Sequence, residues 1–403
     1  MKRQTGKIGI LTFHRSLNNG AVVQCYSLWK RLKNDFPNFD VEVIDYNMPI
    51  TDKIYPQNLI QYYKYTNSIK VFFAKTIKLI KDPLLLKRFR KKRMVFNSAL
   101  SEIRLSNKSF FTNNPNSLFE YIQDEYDAIV VGSDAIWNYK LRGFPNPYFL
   151  DNSITIPKFS YAASCFGMQY EKIKKDEKER IRTILSDYSF VGVRDSETEK
   201  MYLSLQTGNE CHHTCDPTLL LDVDDLPVEK SIIVGKMKQK GFDFNKKTIG
   251  IMLSPQEAAI VKSIMGSEYQ YVSLFNYCSA CDVNLFDLNP FEWAYVFRFF
   301  VVTFTTYFHG TLLSLKNGVP VISIALRNDF NKTHVSKVED VLERLKMSDC
   351  YFDLEKKNYT AIKAKACQLM NSFDRKKLAS DIAKESESYS AFKEAFEKAI
   401  NNL

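Results

Sequence analysis

The stretch VVTFTTYFHGTLLSLKNGVPVISIAL, residues 301–326, carries the clearest fold signal in the chain. An apolar run the length of a buried strand ends at Thr305, residues with helical spacing follow His309, and a second apolar run completes the stretch. This order predicts a buried parallel strand, a helix and a second buried strand. His309 therefore stands where a strand ends and a helix begins.

The same alternation occurs in the N-terminal half. The segments KIGILTFH (residues 7–14) and VEVIDYN (residues 41–47) are predicted strands separated by a helix, and YDAIVVGSD (residues 126–134) and SFVGVRD (residues 189–195) are later strands. Residues 48–121 are aromatic and basic, and we expect them to form a helical insertion that interrupts the sheet.

A turn-like, acidic segment, DPTLLLDVDDLPVEK at residues 216–230, is the candidate domain boundary, because the alternation restarts after it. The sequence thus predicts an α/β protein of two Rossmann-like domains, residues 1–222 and 223–375, with an interdomain cleft where the carboxyl ends of the strands converge. Residues 376–403 have the pattern of a polar amphipathic helix, which we expect to pack back across both domains.

Length and charge narrow the class of protein. A chain of 403 residues suits two domains, and its formal net charge of +10 favours an anionic partner: nucleic acid, an acidic membrane surface or a phosphorylated small molecule. The N-terminal apolar run is too short for a signal peptide, and no segment is long and apolar enough to cross a bilayer. We expect a cytoplasmic protein, with peripheral contact to the inner face of the cell membrane as an alternative location.

Eight cysteines without regular spacing predict reduced, buried thiols. Two clusters, CHHTC at residues 211–215 and CSAC at residues 278–281, have the ligand types and spacing of zinc sites. Nothing else in the chain resembles a zinc ribbon, so we predict no metal site.

His309, Gly310 and Thr311 form the first candidate binding element. Free backbone N–H groups and the helix dipole at this position favour an anion, Gly310 lets a ligand approach the backbone, and Thr311 adds a hydroxyl. A histidine that only caps the helix is the alternative.

Two further candidate elements follow strands of the N-terminal half. Asn18 and Gly20 lie in a polar turn that opens a helix, without the motif of a phosphate loop or a dinucleotide site. Ser133 and Asp134 end a very apolar strand, so the carboxylate of Asp134 is either a general acid or base facing the cleft or a helix cap.

Cations supply the remaining candidates. Arg194 ends another strand and can bind a carboxylate or phosphate in a fork, although pairing with Asp195 or a nearby Glu explains it as well. The basic segment at residues 75–93 mixes cations with Leu, Ile and Phe, which indicates either contact with anionic lipid or a solvated helix face. The sequence contains no recognised nucleic-acid-binding module, so its basic residues do not indicate nucleic-acid binding.

The chain resembles the polysaccharide pyruvyl transferase family through six segments in the family's order: GILTFHRSLNNGAVVQCYSL, YDAIVVGSDAIWN, SYAAS, VGVRDSET, DPTLLL and FHGTLLSLKNGVPVISI. The resemblance implies a glycosyltransferase-B type fold and transfer of pyruvate from phosphoenolpyruvate to a sugar as a ketal, during assembly of a capsule or exopolysaccharide. It also implies an acceptor that is lipid-linked, and a reaction that needs no cofactor or metal.

By resemblance, His309 and Arg194 engage the donor's phosphate and carboxylate. His309 is alternatively the proton donor, because its ordinary pKa lies near working pH. Asp134 becomes the hypothetical general acid or base, and Asn18 and Gly20 would line the acceptor side.

The sequence departs from the family pattern at three positions. Some members have Arg where this chain has Tyr307, and others have Asp and Ser where it has Thr306 and Tyr307. Lys337 replaces the Arg of an SRI segment, so we expect a point charge in place of a fork at this substrate-binding position. Two rival functions therefore stay open: a nucleotide-sugar-dependent glycosyltransferase, and a non-catalytic sugar- or lipid-binding relative.

Overall fold

The computed structural model describes residues 5–49, 56, 58–64, 66–81, 83–138, 143–144, 146–168, 170–325 and 335–401. Every residue predicted for the site lies within these ranges. Residues 50–55, 57 and 65 of the predicted insertion and Asp82 of the basic segment lie outside them.

Seven parallel strands form the first sheet, in the order β3-β2-β1-β4-β5-β6-β7. Their bounds are β1 (Gly6–Leu11), β2 (Phe39–Asn47), β3 (Leu105–Phe111), β4 (Ala128–Val131), β5 (Lys158–Ala163), β6 (Phe190–Val193) and β7 (Cys211–His213). The central strands are apolar and buried on both faces, because helices cover a parallel sheet on both sides.

Helices connect these strands. They are α1 (Asn19–Asp35), α2 (Leu59–Lys64), α3 (Ile69–Lys81), α4 (Leu85–Leu100), α5 (Asn116–Glu125), α6 (Lys175–Leu185) and α7 (Ser196–Leu205), with 3₁₀ turns at Pro147–Phe149, Tyr170–Lys172 and Pro217–Leu220. None of the described helices has the combination of length and apolarity that a membrane crossing requires.

The predicted insertion at residues 48–121 differs from expectation at its C-terminal end. The helices α2, α3 and α4 lie in residues 59–100, but β3 returns to the sheet as its edge strand and pairs with β2. The central side chains of β3 are exposed and polar, because an edge strand of this sheet faces solvent. The apolar alternation that marks a buried strand is therefore missing from its sequence.

Six parallel strands form the second sheet, in the order β10-β9-β8-β11-β12-β13. Their bounds are β8 (Thr248–Met252), β9 (Gln270–Ser273), β10 (Val283–Asn284), β11 (Val302–Thr305), β12 (Val321–Ile324) and β13 (Tyr351–Phe352). The accompanying helices are α8 (Lys230–Gln239), α9 (Pro255–Met265), α10 (Pro290–Tyr295), α11 (Phe308–Lys316), α12 (Lys337–Arg344) and α13 (Tyr359–Ser372), with 3₁₀ turns at Val296–Phe299, Ser348–Cys350 and Leu354–Lys356.

The predicted architecture of two Rossmann-like domains is confirmed by these two parallel sheets. The predicted boundary at residue 222 falls between His213, where β7 ends, and Thr248, where β8 begins. Aromatic packing joins the domains behind the sheets, since the ring of Tyr26 on α1 meets that of Phe291 on α10 at 4.8 Å.

The predicted C-terminal helix is two helices, α14 (Arg375–Ser386) and α15 (Tyr389–Ile400). The chain turns between them, where the hydroxyl of Ser388 accepts a hydrogen bond from the backbone N–H of Cys215. Side chains of α14 join the core of the second domain, whereas α15 packs its aromatic side chains on the first sheet.

Each sheet reverses its strand order at one place, between β1 and β4 in the first and between β8 and β11 in the second. Ligands of such sheets bind in the crevice outside the carboxyl ends of the strands at this reversal. Asn18 and Asp134 lie in the loops that leave β1 and β4, and His309 lies in the first turn of the helix after β11, so the topology brings these residues to the region where a ligand is expected.

Candidate functional site at the interdomain cleft

Arg194 lies at the centre of the candidate site. It follows β6 directly and is 4% exposed. Its Nη1 donates a hydrogen bond to Oδ2 of Asp216 at 2.7 Å, and its guanidinium lies 4.7 Å from the centre of the Phe308 ring. Among the described residues, none accepts a hydrogen bond from Nε or Nη2 of Arg194. Within the described part of the chain, two guanidinium nitrogens with three N–H groups are thus left for a ligand.

Asp216 holds this arginine in place. It caps the 3₁₀ turn Pro217–Leu220 by accepting a hydrogen bond from the N–H of Thr218, and its second oxygen faces Arg194. Burial alone would raise the pKa of Asp216, but the charges of His309 and Arg194 outweigh burial and lower it. Asp216 is therefore an anion that fixes the guanidinium, as expected for a buried ion pair. The predicted alternative of an Arg194–Asp195 pair is wrong, because Asp195 caps α7 by accepting from the N–H of Thr198.

His309 reaches the same carboxylate from the second domain. It occupies the first turn of α11, and its Nε2 lies 3.7 Å from Oδ2 of Asp216 and 3.1 Å from Oε1 of Gln24 on α1. Burial lowers the pKa of His309 to about 4, against the opposing effect of Asp216 and Asp134. The imidazole is therefore neutral at neutral pH. In the tautomer that carries its proton on Nε2, it donates a hydrogen bond to Oε1 of Gln24.

Gly20 allows α1 to approach His309 so closely. A Cβ atom added at Gly20 would lie 2.2 Å from Nδ1 of His309, well inside contact distance. Asn18 begins the helix, because its Oδ1 accepts a hydrogen bond from the N–H of Gly20. Of these two predicted acceptor residues, Gly20 is thus a contact between domains, and Asn18 is an exposed helix cap at the mouth of the cleft.

Asp134 and Ser133 lie opposite His309, after β4. Oδ1 of Asp134 is 3.8 Å from Nη2 of Arg194 and accepts a hydrogen bond from the N–H of Ala135. Burial would raise the pKa of Asp134, but Arg194 and Lys337 outweigh it and lower the pKa to about 2. The side chain is a carboxylate at any working pH, so it can accept a proton or balance a cation but cannot be the general acid.

Ser133 is held by its backbone. Its carbonyl accepts a hydrogen bond from the hydroxyl of Thr12, which joins the loops after β1 and β4. The hydroxyl of Ser133 is buried and has no hydrogen-bond partner among the described residues. A ligand hydroxyl or phosphate oxygen would supply one.

Lys337 completes the site from the start of α12. Its Nζ lies 5.3 Å from the centre of the Phe308 ring and 5.5 Å from that of Phe166. Burial and the nearby charge of Arg194 lower its pKa. Phe166 of the first domain and Phe308 of the second therefore hold the Lys337 ammonium close to Arg194.

Gly310 and Thr311 contribute to the packing of α11 and do not face a ligand. A Cβ at Gly310 would lie 2.5 Å from Oγ1 of Thr305, so the glycine lets α11 sit closely against β11. The hydroxyl of Thr311 bonds the hydroxyl of Ser323 at 2.9 Å and is fully buried. The structure does not bring these two predicted substrate-binding groups into the site.

Gln24, Asp216 and Phe308 are site residues that the sequence interpretation did not single out. Gln24 is fully buried on α1. A glutamine between the apolar residues Val23 and Cys25 of a predicted helix is unusual, and this pattern is the one sequence signal that points to it. Asp216 begins the turn-like, acidic segment that the sequence predicts as the domain boundary, so its pattern indicates a linker and not a site.

A cavity of about 310 Å³, separate from the residues around Arg194, opens at the carboxyl ends of β1 and β2. Its floor is the buried His14, whose Nε2 lies 3.1 Å from Oδ1 of Asp45, and Arg15 binds the same carboxylate through two hydrogen bonds. Its lining includes Ser16 and Leu17, which lie in the same loop as Asn18. Asn47, Asn97 and Phe111 contribute amide and aromatic groups to its walls.

The two cysteine clusters form separate structures. CHHTC is β7 and its exit, where His213 binds Glu385 of α14 at 2.6 Å, and CSAC follows β9. Within the described ranges, no group of three or more His, Cys, Asp or Glu side chains is arranged to hold a metal ion.

Comparisons with known proteins identify the fold. The chain is similar to the UDP-GlcNAc 2-epimerase from Neisseria meningitidis bound to UDP-GlcNAc, with a TM-score of 0.53, 12% identity and coverage of 97% of this chain and 99% of that one. A putative UDP-N-acetylglucosamine 2-epimerase from Listeria monocytogenes gives a TM-score of 0.50 at 11% identity, covering 96% and 94%. The E. coli heptosyltransferase WaaC with ADP-2-deoxy-2-fluoro heptose gives 0.32 at 8% identity, covering 79% and 88%.

At such identities the similarity to the two epimerases concerns the fold alone, and it confirms the predicted glycosyltransferase-B type. None of the curated proteins compared with the chain matches it. The family model for polysaccharide pyruvyl transferase matches residues 18–328, a range that contains Arg194 and His309. Since the match covers most of the chain, the protein belongs to the polysaccharide pyruvyl transferase family.

Proposed function

We propose that the protein transfers pyruvate from phosphoenolpyruvate to two hydroxyls of a lipid-linked sugar, as a ketal, during assembly of a surface polysaccharide. The observation that carries this proposal is the convergence of Arg194 and His309 on one oxygen of Asp216, at 2.7 and 3.7 Å, from two different domains. A cation with free N–H groups beside a neutral imidazole suits a small dianion.

The reaction needs no external oxidant or reductant. A proton adds to the methylene carbon of phosphoenolpyruvate, one sugar hydroxyl bonds to the cationic carbon, phosphate leaves, and the second hydroxyl closes the ketal. One hydroxyl proton ends on the new methyl group and the other on phosphate. The enzyme must therefore hold two anionic groups and move protons, and neither a cofactor nor a metal is required.

We assign the donor's carboxylate or phosphate to Arg194 and Lys337, which share the Phe308 ring. A bound dianion adds negative charge beside His309 and so raises its pKa from about 4 towards neutrality. His309 then becomes able to carry the proton only when the donor is present. Asp134, an anion at working pH, is suited to accept a hydroxyl proton or to stabilise the cationic carbon.

Two cavities support an acceptor that has both sugar and lipid. The cavity floored by His14 offers amides, a guanidinium and an aromatic edge, which are groups that bind sugars. An apolar groove of about 490 Å³ separates α4 from the second domain, and Phe275 in its wall lies 4.3 Å from the ring of Tyr307, two residues before His309. The groove thus leads towards the proposed reaction centre, and we assign the lipid part of the acceptor to it.

The test is phosphate release from phosphoenolpyruvate in the presence of candidate lipid-linked sugars, with the ketal identified by its mass. Acceptor-dependent release supports the proposal. Consumption of a nucleotide sugar with no use of phosphoenolpyruvate would instead assign the protein to the glycosyltransferases, and binding without turnover of either donor would leave a non-catalytic relative.

Substitutions then test the site. His309→Ala should lower kcat by about a hundredfold or more, as for other general acid–base groups. Arg194→Lys should raise the KM for the donor by roughly tenfold, because the fork is lost. The controls are His212→Ala, a half-buried histidine of β7 that stacks on Phe190 outside the candidate site, and Arg182→Lys at the surface of the first domain. Normal kinetics in both site variants would show that the donor binds elsewhere.

A further inference from the structure

Exposed apolar side chains gather in one part of the first domain. The structure describes fifteen large apolar side chains as exposed, and ten of them lie in residues 59–94, which we call the docking segment: Leu59, Ile60, Ile69, Val71, Phe72, Phe73, Ile77, Ile80, Leu84 and Met94. Single exposed apolar residues are common on protein surfaces, but a concentrated patch marks an interaction site.

Four of these side chains form a stripe on α3. Ile69, Phe73, Ile77 and Ile80 follow each other at intervals of four, four and three residues, and each is between 51% and 72% exposed. Residues at these intervals share one face of a helix. The stripe is therefore a continuous apolar ridge about three turns long.

One flank of α3, beside the stripe, is fixed to the short helix α2. The hydroxyl of Thr76 bonds that of Tyr63 at 3.0 Å, and the rings of Tyr63 and Phe72 lie 5.0 Å apart. Nζ of Lys75 donates to the backbone carbonyl of Tyr62 at 2.5 Å. These contacts orient α3 and leave the four side chains of the stripe exposed.

The charge of the docking segment has one dominant sign. Its sequence contains one acidic residue, Asp82, and eleven cations: Lys64, Lys70, Lys75, Lys78, Lys81, Lys87, Arg88, Arg90, Lys91, Lys92 and Arg93. Lys70 and Lys78 are exposed and stand next to stripe residues Ile69 and Ile77. Cations that flank an apolar ridge are the pattern of a helix that lies in the headgroup region of an anionic bilayer.

We propose that the docking segment binds the surface of an anionic membrane, with the α3 stripe inserted below the lipid headgroups and the exposed ammonium groups of Lys70 and Lys78 on lipid phosphates. Charge complementarity favours this occupant over a second copy of the chain, because two such segments face to face would repel each other. The inference goes beyond the proposed reaction, since binding to lipid requires neither donor nor acceptor.

The experiment is sedimentation of the full chain with vesicles, of phosphatidylcholine alone and of an equimolar mixture of phosphatidylcholine and phosphatidylglycerol. We expect binding to the mixed vesicles that weakens with salt, and little binding to phosphatidylcholine alone. The double variant Phe73→Ser/Ile77→Ser should weaken binding by roughly a hundredfold, about tenfold for each apolar side chain that no longer inserts. Lys70→Gln/Lys78→Gln should weaken binding to the mixed vesicles only.

The matched control is Ile232→Ser, a similarly exposed isoleucine on α8 outside the docking segment, which should bind like the unchanged protein. Circular dichroism and thermal melting check that the variants fold. Equal vesicle binding by the stripe variant and the unchanged protein would overturn the inference. So would a stripe-dependent dimer, seen by light scattering, in a protein that does not bind vesicles. None of these measurements uses phosphoenolpyruvate, so a failure here is distinct from a failure of the proposed reaction.

Discussion

The substitution Gly20→Ala probes the contact on which the candidate site depends. The added methyl would lie 2.2 Å from Nδ1 and 2.3 Å from Cγ of His309, where an ordinary contact needs 3.4 Å or more. The imidazole or the start of α1 must therefore move by about 1.2 Å to relieve the overlap. Neither group can move into solvent to relieve the overlap, because Gly20 and His309 are both buried.

Two opposing effects decide the stability of this variant. Inserting a methyl into a packed contact costs about 1–3 kcal/mol, whereas alanine favours the helix over glycine by about 1 kcal/mol. The free energy of unfolding should thus fall by roughly 0–2 kcal/mol. The effect on turnover should be larger, since a displacement of about 1 Å in a reacting group costs on the order of a hundredfold in rate.

The assay combines phosphate release, donor binding by calorimetry and urea unfolding. The matched control is Gly235→Ala on α8, where a Cβ meets no atom within 4 Å, and this variant should gain about 0.5–1 kcal/mol with unchanged turnover. If Gly20→Ala turns over at the normal rate and melts at the normal temperature, then α1 does not approach His309 as described, and the link between the domains at this point is wrong.

Two more predictions concern stability. The pKa of His309 is about 4 in the folded chain and 6.5 ordinarily, so its contribution is fully present above pH 6.5 and is lost as the pH falls towards 4. Urea unfolding at pH 7 and pH 5 should therefore differ by about 2 kcal/mol more in the unchanged protein than in His309→Ala; parallel pH dependences would contradict the buried neutral imidazole. Phe392→Ala should lower the free energy of unfolding by about 3–5 kcal/mol, because its ring packs against those of Tyr161 and Phe190, while the exposed Lys398→Ala should change it by less than about 0.5 kcal/mol. Similar losses in the two variants would show that α15 is not part of the core.

The sequence predicted the buried strands well and the edge strands poorly. The central strands, such as β4 and β11, are short apolar runs between polar loops, so the pattern alone identified them. β3 has an exposed polar centre, and β10 and β13 have two residues each, too few for any periodicity. Their place in the sheets depends on pairing with neighbours that only the folded chain supplies.

The candidate site divides in the same way. His309, Arg194 and Asp134 stand at the ends of predicted strands, and their meeting follows from the topology of parallel sheets. The contact between Gln24 and His309 joins residues 285 positions apart, and no local pattern marks it. The prediction that Gly310 and Thr311 contact the ligand is wrong for a related reason. Their packing against β11 and Ser323 depends on neighbouring strands that the sequence of the helix does not show.

The position of α15 has a consequence for how the chain is made. Phe392 and Phe396 cover aromatic side chains of β5 and β6, strands that the ribosome produces about two hundred residues earlier. At ordinary translation speeds of about 5–20 residues per second, Phe159, Tyr161 and Phe190 remain uncovered by α15 for roughly 10–40 s. The nascent first domain therefore presents an open aromatic face to chaperones, or to neighbouring nascent chains, until the late helix arrives to close it.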